Sequence, residues 1–276
     1  MKNKTCGKIA VLAASLLLVS CSAWGAATAS DTASNYAPSS WGSFTPANLG
    51  TGFGGWFISG SGASYGTYLS QTSYGDGDGV LYNGYGWGTY ANGSSSTEIT
   101  IGRQFSNSAD GISNLVNQTL SFGLSSVGIG GSGQSLGVDV GGAFGLEYAG
   151  GGGDNMSLSI DGGTYNPIGV NFSDLNGGLL VSLAVSGPAN SPTENYTLTI
   201  QAFNGGAGGT TYYSTSGTYN AQVYGTSDLV LMDDDTTGNG YFNNLNISPE
   251  AVPEPSSLSI MAMSGLGALL MFRRRK

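Results

Sequence analysis

The chain has 276 residues, of which 48 are glycine, 39% are hydrophobic and only 9% are charged. Between residues 31 and 250, 12 aspartates and 4 glutamates accompany a single arginine, so this part of the chain carries a net charge of −15. A surface this acidic repels phosphate backbones, which excludes nucleic-acid binding.

The N-terminus has the pattern of a secretory signal peptide over residues 1–27. Lys2, Lys4 and Lys8 precede an apolar run at residues 9–20, and small residues follow, with cleavage expected near residues 25–27. The alternative is a lipoprotein signal that ends at Cys21, which would then be acylated. Both cysteines of the chain, Cys6 and Cys21, lie in this segment and histidine is absent. The body is therefore predicted to lack disulfides, Ser-His or Cys-His nucleophiles, and imidazole or thiolate zinc sites.

Short runs with period-two alternation of apolar residues fill the body, residues 30–250, and Gly/Ser/Asn clusters separate them. No 12-residue amphipathic helix pattern interrupts these runs. We expect strands at 55–60, 79–83, 98–102, 119–125, 143–148, 157–161, 180–186, 197–203, 228–232 and 243–247. Because each sheet then has one apolar face to bury, the body is predicted to be an all-β, antiparallel, jelly-roll-like β-sandwich of one domain.

Aromatic residues are dense before residue 91, and four of them are candidate stacking residues for a glycan: Tyr82, Tyr85, Trp87 and Tyr90. Exposed rings with polar neighbours suit a sugar, whose apolar face packs on a ring while its hydroxyls form hydrogen bonds. The alternative is that these rings fill the core, since tyrosine and tryptophan are good strand formers.

An acidic cluster at residues 233–240 is the candidate cation site. Asp233, Asp235 and Thr237 offer oxygen atoms at alternate positions, which partly matches a calcium loop. A solvated hairpin turn is the alternative. A structural calcium ion is the one cofactor that we consider, and Asp76 and Asp78 form a weaker candidate of the same kind.

Arg103, the lone cation of the body, is expected to form a surface ion pair with a nearby acid such as Glu98, which would contribute little to stability. Glycoside hydrolysis needs only two carboxylates, for which Glu98, Glu147 and Glu194 are available. No motif shows which acids face each other. We therefore expect the body not to be an enzyme.

The C-terminal 25 residues have three parts in a fixed order. First is a proline-restrained break, then an apolar run at residues 258–272, and last a basic end. Fifteen helical residues span about 22 Å, less than a hydrocarbon core of roughly 30 Å, and snorkelling arginines would reduce the difference. The basic end would stay on the cytoplasmic side. The residues at the two ends of this segment are Val252, Pro253, Glu254 and Pro255, and Arg273, Arg274, Arg275 and Lys276.

This segment, residues 252–276, resembles a PEP-CTERM sorting signal. The resemblance implies a Gram-negative exporter, a transient anchor in the inner membrane by a short transmembrane helix, and cleavage near the proline motif by an exosortase. It also implies release to the cell surface or to an exopolysaccharide matrix.

The body also resembles the concanavalin-like and carbohydrate-binding jelly-roll modules of secreted bacterial proteins, on the strength of GWF at 55–57 and YFNNLNI at 241–247. The sequence therefore predicts an exported structural protein of the cell surface or matrix. The alternatives are a glycan-binding module that takes extracellular polysaccharide and, less favoured, a carbohydrate-active enzyme.

Overall fold

The computed structural model describes residues 29–36, 48–62, 64–71, 85–93, 97–104, 115–129, 131–151, 155–188, 191–204, 208–224, 228–234 and 239–249. The predicted signal peptide, the sorting segment and the strand predicted at 79–83 lie outside these residues. So do the helices predicted for the signal and the membrane anchor.

The described residues form fifteen strands and one five-residue helix, α1 (Phe172–Asn176), and a 3-10 turn (Ala33–Asn35) follows the first strand. The strands are β1 (Ala29–Asp31), β2 (Phe57–Ser61), β3 (Tyr65–Gln71), β4 (Tyr85–Ala91), β5 (Glu98–Gln104), β6 (Gln118–Val127), β7 (Ser135–Val140), β8 (Phe144–Ala149), β9 (Asn155–Ile160), β10 (Asn166–Asn171), β11 (Leu179–Ser186), β12 (Thr193–Ala202), β13 (Thr211–Asn220), β14 (Asp228–Asp234) and β15 (Asn239–Pro249).

The all-β, antiparallel prediction is confirmed. A seven-stranded sheet has the order β10-β9-β8-β7-β14-β5-β2, and a three-stranded sheet has the order β11-β12-β13. In the remaining sheet, β6 pairs along one edge of β15. Along the other edge, β4 pairs with residues 239–242 of β15 and β1 pairs with residues 245–247. β3 in turn pairs with β4. All strand pairs within these sheets are antiparallel, as the alternating patterns of the sequence predict.

Two layers of sheet enclose one main core. β11 lies beside β6, where Val116 and Val185 form a bridge and the Asn117 side chain bonds the backbone of Gly187. The five- and three-stranded sheets thus form one layer, and the seven-stranded sheet forms the other. Across the layers, the Phe144 ring packs edge-on against two tyrosine rings of the three-stranded sheet at 5.0 Å.

Strand β12 shows why these segments form half-buried strands. Its burial alternates from Thr193 to Ile200, with Tyr196, Leu198 and Ile200 facing the core and the threonines between them facing out. Such alternation buries the apolar face of each strand while its polar face stays in contact with water.

Among the described residues, no helix is long and apolar enough to span a membrane.

Candidate functional site

The aromatic residues predicted to stack sugar rings are divided between two faces of one sheet. Trp87 is fully buried, and its ring packs edge-on against Trp56 and Tyr36, with ring centroids 5.1 Å and 5.8 Å apart. The prediction of Trp87 as an exposed stacking ring is wrong, and the core-packing alternative holds for this residue. The physical reason is that Trp87 lies on the face of β4 that packs against the main core of the sandwich.

Tyr90 lies on the opposite face of β4 from Trp87, because side chains alternate along a strand. Its partly buried ring lies 6.2 Å from that of Tyr68, whose hydroxyl donates to the hydroxyl of Tyr241 at 3.0 Å. Tyr85 begins β4, and Tyr82 lies outside the described residues. The structure therefore does not bring Trp87 and Tyr90 together on one platform, and stacking by the three tyrosines stays a prediction.

The acidic cluster is described only at its start. Asp233 lies on β14, where its backbone is opposite Ile99 of β5 and Leu136 of β7. Asp235 and Thr237 lie outside the described residues. Within the described part of the chain, no three Asp, Glu, His or Cys side chains are close enough together to hold a metal ion. The calcium site stays a prediction.

Arg103 is the centre of a buried polar network. Its side chain is fully buried, one terminal nitrogen pairs with Oδ2 of Asp31, and the other donates to Oδ1 of Asn48. Its Nε donates to the carbonyl oxygen of Gly54 at 3.0 Å. The expected surface pair with Glu98 is wrong, because Arg103 points into the core, where β1 supplies the carboxylate.

Aromatic rings complete the surroundings of this ion pair. The Arg103 guanidinium lies 4.9 Å from the ring centroids of Phe53 and Trp56, which is cation–π distance. The Tyr36 hydroxyl donates to Oδ2 of Asp31 at 2.7 Å and accepts from Nε1 of Trp56 at 3.2 Å. Burial, together with the negative charge of Asp31 and its hydrogen bond, raises the pKa of Tyr36 to about 12. The phenol thus keeps its proton and remains a donor to Asp31 at neutral pH.

Strand β1 holds the N-terminal end of the described chain to the C-terminal end. Ala29 is opposite Ile247 and Asp31 is opposite Leu245, in antiparallel register on β15. After β1, the backbone N–H of Ala33 donates to the buried side-chain oxygen of Asn243 at 3.0 Å. Because the two strands are antiparallel, the chain enters β1 at the same edge of the sheet at which it leaves β15.

The segment that follows β15 carries a recognisable sequence motif. Residues 251–276 match the PEP-CTERM protein-sorting motif, and β15 ends at Pro249, next to the start of that match. The chain carries a PEP-CTERM sorting motif. The prediction made from the proline motif, the apolar run and the basic end is therefore confirmed. The PEP-CTERM motif indicates an exported protein with a membrane-anchored sorting tail, which an exosortase recognises for processing.

Comparison of the body with solved structures found partial similarity to the binding domains of botulinum neurotoxins. The serotype D/C binding domain is 8% identical at a TM-score of 0.41, covering 76% of this chain and 47% of that chain. The serotype C1 binding domain is 9% identical at a TM-score of 0.39, with the same coverage. This chain thus spans less than half the length of those structures. The comparison with curated proteins found no match.

Proposed function

We propose that this chain is a structural protein of the cell surface or exopolysaccharide matrix, delivered by its PEP-CTERM tail and released by cleavage near Val252 to Pro255. The observation that carries the proposal is the sorting motif placed directly after β15. A body of low charged content and alternating strands, with a net charge of −15 over residues 31–250, suits a folded protein that stays outside the cell.

The pairing of β1 with β15 supports this topology. A predicted signal segment precedes β1 and an apolar tail follows β15, and both leave the same edge of the sheet. Two membrane segments can therefore reach the same bilayer while the sandwich stays wholly on one side. The basic residues at both outer ends favour the cytoplasmic side for each segment.

A non-enzymatic body is part of the proposal. The Glu194 carboxylate is buried against the Tyr219 hydroxyl at 2.6 Å. Glu147 lies between the inward-facing Leu146 and Tyr148, so it faces the outside of the seven-stranded sheet. Glu194 thus lies on the inner face of the three-stranded sheet, whereas Glu147 lies on the outer face of the seven-stranded sheet. The two carboxylates therefore do not face each other as the catalytic pair of a glycosidase does.

The experiment follows an epitope-tagged chain through cell fractionation, with two variants. The intact chain is expected to be exported and shortened at the tail. A chain that lacks residues 273–276 is expected to lose tail processing, because the basic end no longer fixes the segment in the membrane. Pro253→Ala with Pro255→Ala is the control that keeps the span and the charge, and it is expected to reach the membrane without being cleaved. Normal processing of both variants would disprove the sorting proposal.

Glycan binding is the second candidate function. The observation that favours it is a cleft between the two layers of the sandwich, whose lining residues are all uncharged.

A further inference from the structure

The sandwich is open along one side, where the edge strands β10 and β13 come close to each other. β10 ends the seven-stranded sheet and β13 ends the three-stranded sheet. A cleft of about 340 Å³ lies between them. Its lining consists of Leu158, Ile160, Gly163, Thr164, Asn166, Pro167, Ile168, Tyr213 and Thr215.

The cleft is a continuation of the inter-sheet space. Tyr213 and Thr215 are opposite Ile200 and Leu198 on β12, so they share the core-facing side of that sheet. On the other layer, Asn166 is opposite the buried Leu158. Positions that would be buried and apolar in a closed sandwich are thus partly open here and include an amide and a hydroxyl.

Hydrogen bonds around the cleft hold its walls in place. The Asp161 carboxylate accepts from the backbone N–H of Asn220 at 2.9 Å, which ties the β9–β10 turn to the end of β13. The Ser159 hydroxyl, near the end of β9, donates to the carbonyl oxygen of Gly163 in this turn at 2.7 Å. The Asn166 amide donates to the carbonyl oxygen of Thr164 at 2.9 Å, so that side chain is also oriented. A wall held in this way is largely formed before a ligand arrives.

The lining selects the chemical class of the ligand. None of its residues is charged, so neither an anion nor a cation finds a counter-charge there. Ile160, Ile168 and Tyr213 are half-buried and pack against the core, which gives the cleft an apolar wall. Asn166, Thr164 and Thr215 add polar groups to this wall, so the lining suits a ligand that carries both apolar and hydrogen-bonding groups.

We propose that this cleft binds a neutral saccharide, with the Tyr213 ring against the C–H face of a sugar and Asn166 bonding its hydroxyls. A sugar ring is neutral, has one apolar face and is edged with hydroxyl groups, which matches the lining in each respect. The volume falls within the range of small-ligand pockets, at its lower end. The site belongs to the body and does not depend on processing of the tail.

The test is isothermal titration calorimetry on the full-length chain, purified in a detergent without a sugar headgroup. The probes are neutral trisaccharides of glucose, galactose, mannose or N-acetylglucosamine. At least one is expected to bind. Tyr213→Ala is expected to weaken that binding about tenfold, and Asn166→Ala about fivefold. Tyr212→Ala is the matched control: this neighbouring ring is 40% exposed and does not line the cleft, so its loss should leave the affinity unchanged.

The melting temperature of each variant shows whether it is folded, and Asn166→Ala remains informative if Tyr213→Ala unfolds, because Asn166 is exposed. Failure of every neutral trisaccharide to bind at millimolar concentration would overturn the proposal. So would binding that both cleft variants leave intact, or a preference for acidic trisaccharides or an extended peptide. Because the chain is purified whole, none of these results depends on whether the tail is sorted.

Discussion

Asp31 and Arg103 form a salt bridge whose two side chains are fully shielded from solvent. Removing two charges from water costs several kcal/mol for each ion, and only good geometry with further hydrogen bonds offsets that cost. Here Tyr36 donates to the carboxylate, and Asn48 with the carbonyl oxygen of Gly54 accepts from the guanidinium. The pair therefore joins β1 to β5 across the core, and its loss should affect stability far more than the loss of an exposed pair.

We predict that Asp31→Asn or Arg103→Met alone destabilises the body by about 3–5 kcal/mol, because each leaves the partner charge buried and unpaired. The double variant should lose less than the sum of the two, since it leaves no buried charge. Chemical denaturation measures all three values.

Glu98→Gln is the matched control for this cycle, since Glu98 is an exposed acid on the same strand. Its substitution should change the stability by less than about 0.5 kcal/mol. A large effect of Glu98→Gln combined with a small effect of Asp31→Asn would contradict the observed pairing.

Arg103 stands out in the sequence as the lone cation of the body, but the surface pair expected there has the wrong partner and the wrong environment. The residue stands alone as a cation in an apolar strand, which could have indicated burial. Its partner Asp31 is 72 residues away, however, and only the packing of β1 on β15 brings it near. The same limitation explains Trp87, because composition shows that a ring is present, whereas the packing of one face of β4 against the core decides that the ring is buried.

The pairing of β3 with β4 depends on glycine–tyrosine pairs. Tyr68 is directly opposite Gly88, and Gly66 is directly opposite Tyr90. A Cβ on Gly88 would lie 2.6 Å from the Tyr68 ring, which shows that the ring lies over the glycine. The Tyr68 ring has little freedom to move, because it packs against the Tyr241 ring and bonds its hydroxyl.

We predict that Gly88→Ala destabilises the body by about 1–3 kcal/mol through overpacking. Gly54→Ala is the control, since a Cβ there would meet its nearest atom at 3.4 Å, an ordinary contact. In a Tyr68→Ala background the cost of Gly88→Ala should largely disappear, because the ring is gone. Thermal unfolding of the four variants measures this, and a cost that persists without the ring would point to a backbone effect instead.

The strength of the apolar period largely separates the strands that the sequence predicts from those that it does not. Nine of the ten predicted segments coincide with strands. Most have apolar residues in alternation, as in β5 and β12, whereas the segment at 228–232 is a continuous apolar run. Six strands were not predicted: β1, β3, β4, β7, β10 and β13. In β3, β4 and β13 glycine, serine and threonine occupy many positions, so an apolar period is weak, whereas β7 alternates clearly at Leu136, Val138 and Val140 and was overlooked. In β3 and β4 the information lies in the register between strands, where each glycine accommodates a ring, and a single strand does not reveal its register.

The sequence predicts the fold class and the sorting tail, whereas the open side of the sandwich cannot be predicted from it. The class follows from alternation, and the tail from three short features in order. The cleft between β10 and β13 depends on the order of strands in two sheets, which places residues 158–168 beside residues 213–215. No local pattern contains that order.

The closure of β1 on β15 allows a test of export and strand register together. Ser30 and Asn246 are partners across these strands, and the described body has no cysteine of its own. We predict that Ser30→Cys with Asn246→Cys forms a disulfide in the exported chain, because directly opposed residues have suitable Cα separations and the compartment outside the inner membrane is oxidising. A non-reducing gel before and after thiol labelling measures the fraction oxidised.

Two controls separate the register from the compartment. Ser30→Cys with Ser248→Cys moves one thiol two residues along β15, about 7 Å further on, beyond the reach of a disulfide without movement of the backbone. The first pair in a chain that lacks residues 1–27 should remain reduced, because the cytosol keeps thiols reduced. Equal oxidation of both pairs would contradict the register, whereas oxidation that does not depend on residues 1–27 would contradict the assignment of that segment as the export signal.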